Sequence, residues 1–387
     1  MKTFAAWLAA SLMAMHPWMA HAQQQAQYSA EYLETTKDWG WVVADFNNDG
    51  HDDFFVSGHD ETDRIWYWSP TGYVPSSQVF VMVDRHDCDA ADFNRDGRMD
   101  MYCAVGALQG TGKGYNELWL QRYDGSFRKV ANHGAYDIYG RGRIPVAFDF
   151  NHDGYPDIYV TNDATERADG QPNFNHVFVN QGNATFVEVP TLATGARGFF
   201  CAVKGDINGD GWDDLAVCDR DDVGHLYINN RNGDFTELSS PALAARWRDA
   251  RLVDMNGDGR DDLVLITTQN YVQIRLNSGS GNYFETPALQ NNPVFTPQAL
   301  TVGDFNADGL KDVYVALHQS ACYTSNQDTA PDIIYYGKAG GGWYKAKQPE
   351  TYAGCGYKSA TLDGSRVLLM QGGMNSLGPN YVIKWSE

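Results

Sequence analysis

The chain has 387 residues, with 49 acidic side chains against 29 basic ones and a formal charge of −20. So acidic a balance excludes the basic footprint that nucleic-acid binding requires. No stretch beyond the amino terminus reaches the roughly 18 apolar residues of a membrane-spanning helix, so no membrane span is expected.

Met1 to Ala22 reads as a cleavable signal peptide. Lys2 supplies the charged start, Phe4 to Met15 the apolar run, and Ala20-His21-Ala22 the small-x-small cleavage site. No cysteine adjoins that site, so no lipid anchor is expected. Residues 23–387 are then an exported chain, secreted or periplasmic. They form one domain whose only low-complexity stretch is Gln23-Gln24-Gln25.

An apolar strand, Trp41-Val42-Val43-Ala44, leads into Asp45-Phe46-Asn47-Asn48-Asp49-Gly50-His51-Asp52-Asp53. The pattern D-x-N-x-D-G-x-x-D returns at Asp92, Asp149, Asp206, Asp254 and Asp304, six copies without exception at the fixed positions. Carboxylates and an amide at positions one, three and five put hard oxygens on one side of a tight turn. Glycine at position six permits the bend, the carbonyl of position seven can face the same point, and Asp at position nine closes the cage. Such an all-oxygen cage suits Ca²⁺. The candidate ligands are Asp45, Asn47, Asp49, His51 and Asp53; Asp92, Asn94, Asp96, Arg98 and Asp100; Asp149, Asn151, Asp153, Tyr155 and Asp157. They continue with Asp206, Asn208, Asp210, Trp212 and Asp214; Asp254, Asn256, Asp258, Arg260 and Asp262; Asp304, Asn306, Asp308, Leu310 and Asp312. The seventh residue varies freely, as expected if only its carbonyl is used. Paired Cys or His ligands are missing from every copy, which argues against zinc. Without metal the copies would be six acidic turns, each holding three carboxylates that repel one another. Up to six structural Ca²⁺ ions are therefore expected, and they would offset most of the formal charge.

Each copy is followed by similar elements. A short apolar strand leaves the loop, as in Phe54-Phe55-Val56, Ile158-Tyr159-Val160, Leu215-Ala216-Val217 and Leu263-Val264-Leu265. Such runs predict strands buried on both faces. A third strand alternates (His176 to Asn180, Leu226 to Asn229, Val272 to Leu276), a Gly/Asn turn follows, and a fourth begins with an aromatic such as Phe186 or Phe235. The mean spacing of about 52 residues divides the exported chain into seven units, and four antiparallel strands per unit describe a β-propeller blade. The fold expected is all-β, a seven-bladed propeller. Its seventh unit, Thr361-Leu362-Asp363-Gly364-Ser365-Arg366-Val367, lacks the ligands and runs out of chain. Gln27 to Glu34 can supply its missing outer strand and so close the ring.

Six cysteines in an exported chain predict disulfides. Cys88 and Cys103 lie four before and eleven after the first Asp of the second copy, Cys201 and Cys218 five before and twelve after that of the fourth, so both pairs of offsets sum to seven. Residues facing each other across a hairpin keep a constant index sum, so both pairs fit one register. The third pair, by elimination, is Cys322–Cys355.

This succession of strand, aspartate loop and apolar strand, from about Trp41 to Trp343, resembles the FG-GAP/VCBS repeat of integrin α-subunit propellers and their bacterial relatives. The resemblance implies Ca²⁺ loops on one face of a seven-bladed propeller and ligands taken on the opposite face.

Six residues before each first Asp stand Trp39, His86, Arg143, Phe200, Arg248 and Gln298. Equivalent positions should circle the mouth of the central channel, with Arg85, Arg141, Arg197, Arg246 and Trp247 nearby. Aromatics beside guanidinium groups suit an acidic glycan, although these arginines could equally pair with Asp38, Asp87 and Asp249. Longer loops on that face, Gly106–Glu117, Thr161–Asn175 and His318–Asp332, add Asp163, Glu166 and Arg167 as candidates. The function expected is a non-enzymatic binding module, monomeric, for a glycan or a cell-surface protein. The alternatives are a polysaccharide lyase recruiting His86, Arg143, Arg248 and Tyr139, or a protein-binding adhesion or assembly factor.

Overall fold

A computed structural model describes residues 28–36, 38–58, 63–81, 83–106, 114–163, 174–191, 198–219, 223–238, 246–279, 283–285, 289–291, 296–318, 332–347, 358–370 and 378–385. These residues form seven antiparallel sheets and, among the described residues, no helix. The first blade is Asp38–Ala44, Asp53–Gly58, Arg64–Tyr67 and Val74–Pro75. The next five repeat that order, opening with Arg85–Ala91, Gly142–Phe148, Gly198–Gly205, Trp247–Val253 and Thr296–Gly303. The fifth adds a short strand, Gln290–Asn291, beside Tyr271–Asn277.

The seventh blade joins the two ends of the chain. Lys358–Leu362, Arg366–Met370 and Gly378–Trp385 supply three strands, and the amino-terminal Tyr28–Thr36 pairs antiparallel with the last of them. The expected closure is therefore present, and the ring has no unpaired gap between its ends. The first strand of each blade touches the first strands of its neighbours all the way round. Those strands are the innermost ones.

Among the described residues the core is not a single one. Seven apolar layers lie between successive sheets, one at each junction, including that between blades seven and one. The second strands show why. In Asp53–Gly58, Phe55 packs toward the second blade while Phe54 and Val56 pack toward the seventh. In Asp157–Asn162, Ile158 and Val160 face the second blade and Tyr159 the fourth. A strand covered on both faces has no use for polar alternation, which explains the continuous apolar runs.

Two disulfides, Cys88–Cys103 and Cys201–Cys218, link an innermost strand to its second strand in the register expected. They fit an oxidising compartment. Cys322 and Cys355 lie outside the described residues, as do Met1 to Ala22. Among the described residues no helix is long and apolar enough to cross a membrane.

Candidate metal loops and the opposite face

The six aspartate loops share one backbone path. The glycine at position six has φ between 82° and 86° throughout, at Gly50, Gly97, Gly154, Gly211, Gly259 and Gly309. A β-carbon on Gly50 would touch nothing within 4 Å, so glycine is required there for its backbone conformation alone. Position four is left-handed as well, from 56° at His152 to 78° at Gly257, whichever of Asn48, Arg95, His152, Gly209, Gly257 or Ala307 stands there. Chain reversal at two residues turns the loop onto its own side chains. In the first loop the Asp45 carboxylate accepts the N–H groups of Asp49 at 3.0 Å and Gly50 at 2.8 Å. Asn47 Oδ1 accepts Asp49 N–H at 2.9 Å, and Asp49 Oδ1 accepts His51 N–H at 2.9 Å. The third and sixth loops reproduce all four bonds.

Position nine does something the sequence did not announce. Asp53 is wholly buried; its Oδ2 accepts Phe46 N–H at 3.0 Å and its Oδ1 accepts Trp68 N–H at 2.7 Å. Asp100, Asp157, Asp214, Asp262 and Asp312 do the same, each joining position two of its loop to the end of the third strand. Burial, and then the nearby loop carboxylates, raise the Asp53, Asp100, Asp157, Asp214 and Asp312 carboxyls to about 7 and Asp262 to about 6, against the pull of those amide bonds.

The donor set tests the fit of a hard divalent cation. Each loop offers only oxygens: three carboxylates, one amide oxygen and a main-chain carbonyl. Among the described residues no three Asp, Glu, His or Cys side chains already meet at a point that would hold a metal ion. The inward turn of the ninth-position carboxylate accounts for this. In the second to sixth loops each of its oxygens accepts one amide and keeps a second lone pair for a cation; Asp53 Oδ2 accepts both Phe46 and Asn47 N–H, which leaves Oδ1 with the spare lone pair.

Seventh-position side chains pack outward across the blade. His51 stacks on Trp68 at 3.6 Å between ring centres, and His152, at position four of the third loop, stacks on Trp212 at position seven of the fourth at 4.0 Å. Arg95 lies 4.9 Å from the Tyr155 ring centre in the same way. The second, third and fourth loops are thus linked one to the next. The seventh blade has a tight turn instead, where Asp363 accepts Asp52 N–H at 2.6 Å and pairs with Arg366.

On the opposite face, all six positions expected at the channel mouth lie at or within a register break of the innermost strand. The breaks fall between Asp38 and Gly40, Arg85 and Asp87, Gly142 and Pro145, Gly198 and Cys201, Trp247 and Asp249, and Pro297 and Ala299. A bulge re-aims its extra residue, and at His86 and Arg248 the aim is toward the next blade. His86 Nδ1 lies 2.5 Å from Gly142 O, and Arg248 Nη1 lies 3.1 Å from Pro297 O, the same site one blade on. Arg143 meets His86 Nε2 at 3.2 Å and Asp163 Oδ2 at 2.8 Å. His86 is 2% exposed and Arg143 5%, and burial holds the His86 imidazole down at about 4 and so neutral.

The expected rim residues are therefore fasteners between blades at His86, Arg143 and Arg248. Gln298 is half-buried, and the Trp39 and Phe200 side chains lie outside what is described. Three of the arginines find carboxylates other than those expected: Arg141 and Arg143 pair with Asp163, and Arg85, wholly buried, with Asp63 and Glu117. Trp247 is wholly buried. Arg197, Glu166 and Arg167 lie outside the described residues.

The exposed groups on this face are different ones. Tyr115 is 49% exposed and Phe174 44%, both in connections between second and third strands. Tyr136 meets Tyr115 edge to face at 5.8 Å. Asn162 ties the two connections together: its Nδ2 donates to Phe174 O at 2.7 Å and to Asp137 at 2.9 Å, while Ile138 O accepts Gly114 N–H at 3.1 Å. No repeat in the sequence marks these aromatics, because each occurs in one blade alone.

The FG-GAP-like repeat model matches four times, at residues 45–103, 92–160, 206–265 and 254–315, together more than half of the chain. No curated protein sequence matches. Two similar solved structures are crystal structures of BBS1N in complex with ARL6DN, one soaked with mercury and one with lead. The first is 11% identical with a TM-score of 0.53, covering 94% of this chain and 96% of the other. The second is 12% identical with a TM-score of 0.52, covering 94% and 97%. At such identity they share the propeller fold and nothing further follows from them. The repeated aspartate loops, the blade order and the matched repeats agree: the chain belongs to the FG-GAP-like repeat family.

Proposed function

We propose that this protein is an exported, calcium-stabilised propeller that acts as a non-enzymatic binding module, with its ligand, a carbohydrate or another cell-surface molecule, on the face opposite the aspartate loops. The observation that carries the reading is one loop geometry repeated six times, with only hard oxygens at the ligand positions. Asp, Asn and Asp at positions one, three and five, the seventh carbonyl and the ninth Asp would hold each cation. Its chemistry there is to neutralise clustered carboxylates and fix the loop between two blades. A metal held only by the folded state adds its binding free energy to folding. Excess EGTA should therefore lower the melting temperature sharply, and calcium should restore it. A melting curve indifferent to EGTA would refute structural calcium.

For the ligand, the exposed Tyr115 and Phe174, with Tyr136 beside Tyr115, offer aromatic rings on this face that suit stacking on a sugar. Loss of glycan-array binding in Tyr115→Ala and Phe174→Ala would support this. The lyase reading loses ground because His86 and Arg143 are buried against each other. Unsaturated product from uronate polymers would restore it. A protein partner is the second reading, favoured by the exposed Val74, Val79 and Val81 along the outer edge of the first blade. The BBS1N propellers are likewise described in complex with another protein. Retention of a protein from an envelope extract, lost in Val81→Asp, would favour it over a glycan.

A further inference from the structure

Three of the six loops carry a cation of their own. In the second, Arg98 at position seven pairs with Asp96 at position five, and its Nε donates to Gln121 O at 3.4 Å. In the fifth, Arg260 occupies the same place: Nη2 lies 2.6 Å from Asp258 Oδ2 and Nε 3.2 Å from Asn277 O. In the fourth, position seven is Trp212, and the guanidinium arrives from elsewhere in the chain. Arg231, in the turn after the third strand, places Nη2 2.7 Å from Asp210 Oδ2 and donates to Asp210 O at 3.1 Å. Two unrelated sequence positions thus deliver an arginine to the same carboxylate.

The first, third and sixth loops differ in having, among the described residues, no such arginine at the fifth-position carboxylate. Position seven is His51, Tyr155 or Leu310. Asp49, Asp153 and Asp308 accept a hydrogen bond from the neighbouring asparagine, Asn47, Asn151 or Asn306, at 3.1, 3.0 and 2.9 Å, as Asp210 of the fourth loop does from Asn208 at 3.0 Å, so this bond is not what separates them. Among the described residues no Lys or Arg pairs with these three carboxylates. Arg95, beside the third loop, lies over the Tyr155 ring instead.

Resting on the calcium reading above, we propose that the six loops form two affinity classes. The first, third and sixth are tight cation sites. The second, fourth and fifth are weak ones, in which Arg98, Arg231 and Arg260 act as resident counter-charges. A guanidinium on the fifth-position carboxylate cancels about one negative charge and occupies an oxygen that the cation needs. A divalent ion must then bind beside a positive charge, which in water weakens it on the order of tenfold. Salt will narrow the difference, because these ion pairs are partly exposed. Chelation should accordingly unsettle the first, third and sixth blades most and leave the arginine-paired loops largely in place.

Calorimetric titration of the chelated full chain with Ca²⁺ at low ionic strength tests this. Three tight sites and three about tenfold weaker are expected. Arg98→Gln, Arg260→Gln and Arg231→Gln should each move one site into the tight class, and each should lower the melting temperature of the chelated protein more than that of the loaded one. Arg231 lies in an exposed turn, so its variant keeps the test open should a strand variant fail to fold. Asp153→Asn should remove one tight site. Six equivalent sites, or an isotherm unchanged by the arginine substitutions, would overturn the two classes and leave calcium binding intact. No uptake of Ca²⁺ at any site would overturn the calcium reading itself.

Discussion

Asn229 donates from Nδ2 to the main-chain oxygen of Phe150, 2.9 Å away and 79 residues earlier in the chain. Phe150 is position two of the third loop, and Asn229 ends the third strand of the fourth blade. The relationship recurs from Asn180 to Phe93 at 2.8 Å, from Asn277 to Ile207 at 2.5 Å, and from Gln121 to Phe46 at 2.6 Å. The N–H of that same terminal residue goes to the ninth-position Asp of its own blade, for Asn229 to Asp214 at 2.7 Å. One side-chain amide thus fastens each of the first four loops to the next sheet, while position two drives its own apolar side chain into the layer between the two blades.

Replacing Asn229 by Leu strands the Phe150 carbonyl without a partner in a buried place. An orphaned buried acceptor costs about 1–3 kcal/mol. The melting temperature of Asn229→Leu should fall by several degrees with calcium present, and an unchanged curve would mean that this bond contributes nothing to the ring.

Much of this architecture was legible because it repeats. The five fixed positions of the loop, the blade count, the closing strand and both described disulfide pairs followed from spacing and residue type. The interblade bonds of Asn180, Asn229 and Asn277 were not legible, although each ends a third strand just before a Gly/Asn turn. Asparagine in that place reads as turn chemistry, and its partner lies 70 or more residues away. The six channel-mouth positions fall at the register breaks of the innermost strands. Nothing in His86 or Arg143 tells a ligand group from a bulge residue fastened to the next blade, because that depends on burial. Position four escaped notice because its identity varies while its backbone does not.

That fourth position gives a prediction of opposite sign. Ala307 sits at φ 58° in the sixth loop, where a β-carbon is unfavourable by roughly 1 kcal/mol or more. Glycine already occupies the equivalent site at Gly209 and Gly257. Ala307→Gly should raise stability, partly offset by a more flexible unfolded chain, whereas Gly309→Ala at φ 82° should lower it. Chemical denaturation of the pair checks the signs, and destabilisation by both would show that the shared backbone path is not what selects residues here.

The Cys88–Cys103 bridge closes a loop across a sequence separation of 15. Constraint of the unfolded chain by a loop of that size stabilises by about 3 kcal/mol. It encloses the whole second aspartate loop, as Cys201–Cys218 encloses the fourth. Reduction should therefore lower the melting temperature even in excess calcium. In the Cys88→Ala/Cys103→Ala double variant, calcium binding should survive while the midpoint of denaturation falls. If reduction changes nothing, these bridges do not carry stability.

His176 begins the third strand of the third blade, with Nε2 3.0 Å from Asp137 Oδ2 and Nδ1 2.6 Å from Glu188 Oε1. Burial alone would lower its pKa from 6.5, but hydrogen bonds to the two carboxylates outweigh it and raise the imidazolium to about 9. Asp137 is itself buried and also accepts Asn162 Nδ2 and Gly140 N–H, so loss of the histidine charge would leave a buried carboxylate short of its cation. A folded pKa above the unfolded one fixes the sign. The contribution, at most ~3 kcal/mol, is fully present below about pH 6.5 and is lost as pH rises through about 9. The wild type should lose stability across that window, and His176→Gln should be less stable at pH 6 and show a flatter profile above it. Imidazole titration by NMR reads the same group directly, and a His176 midpoint near 6.5 would show that the two carboxylates do not hold its proton.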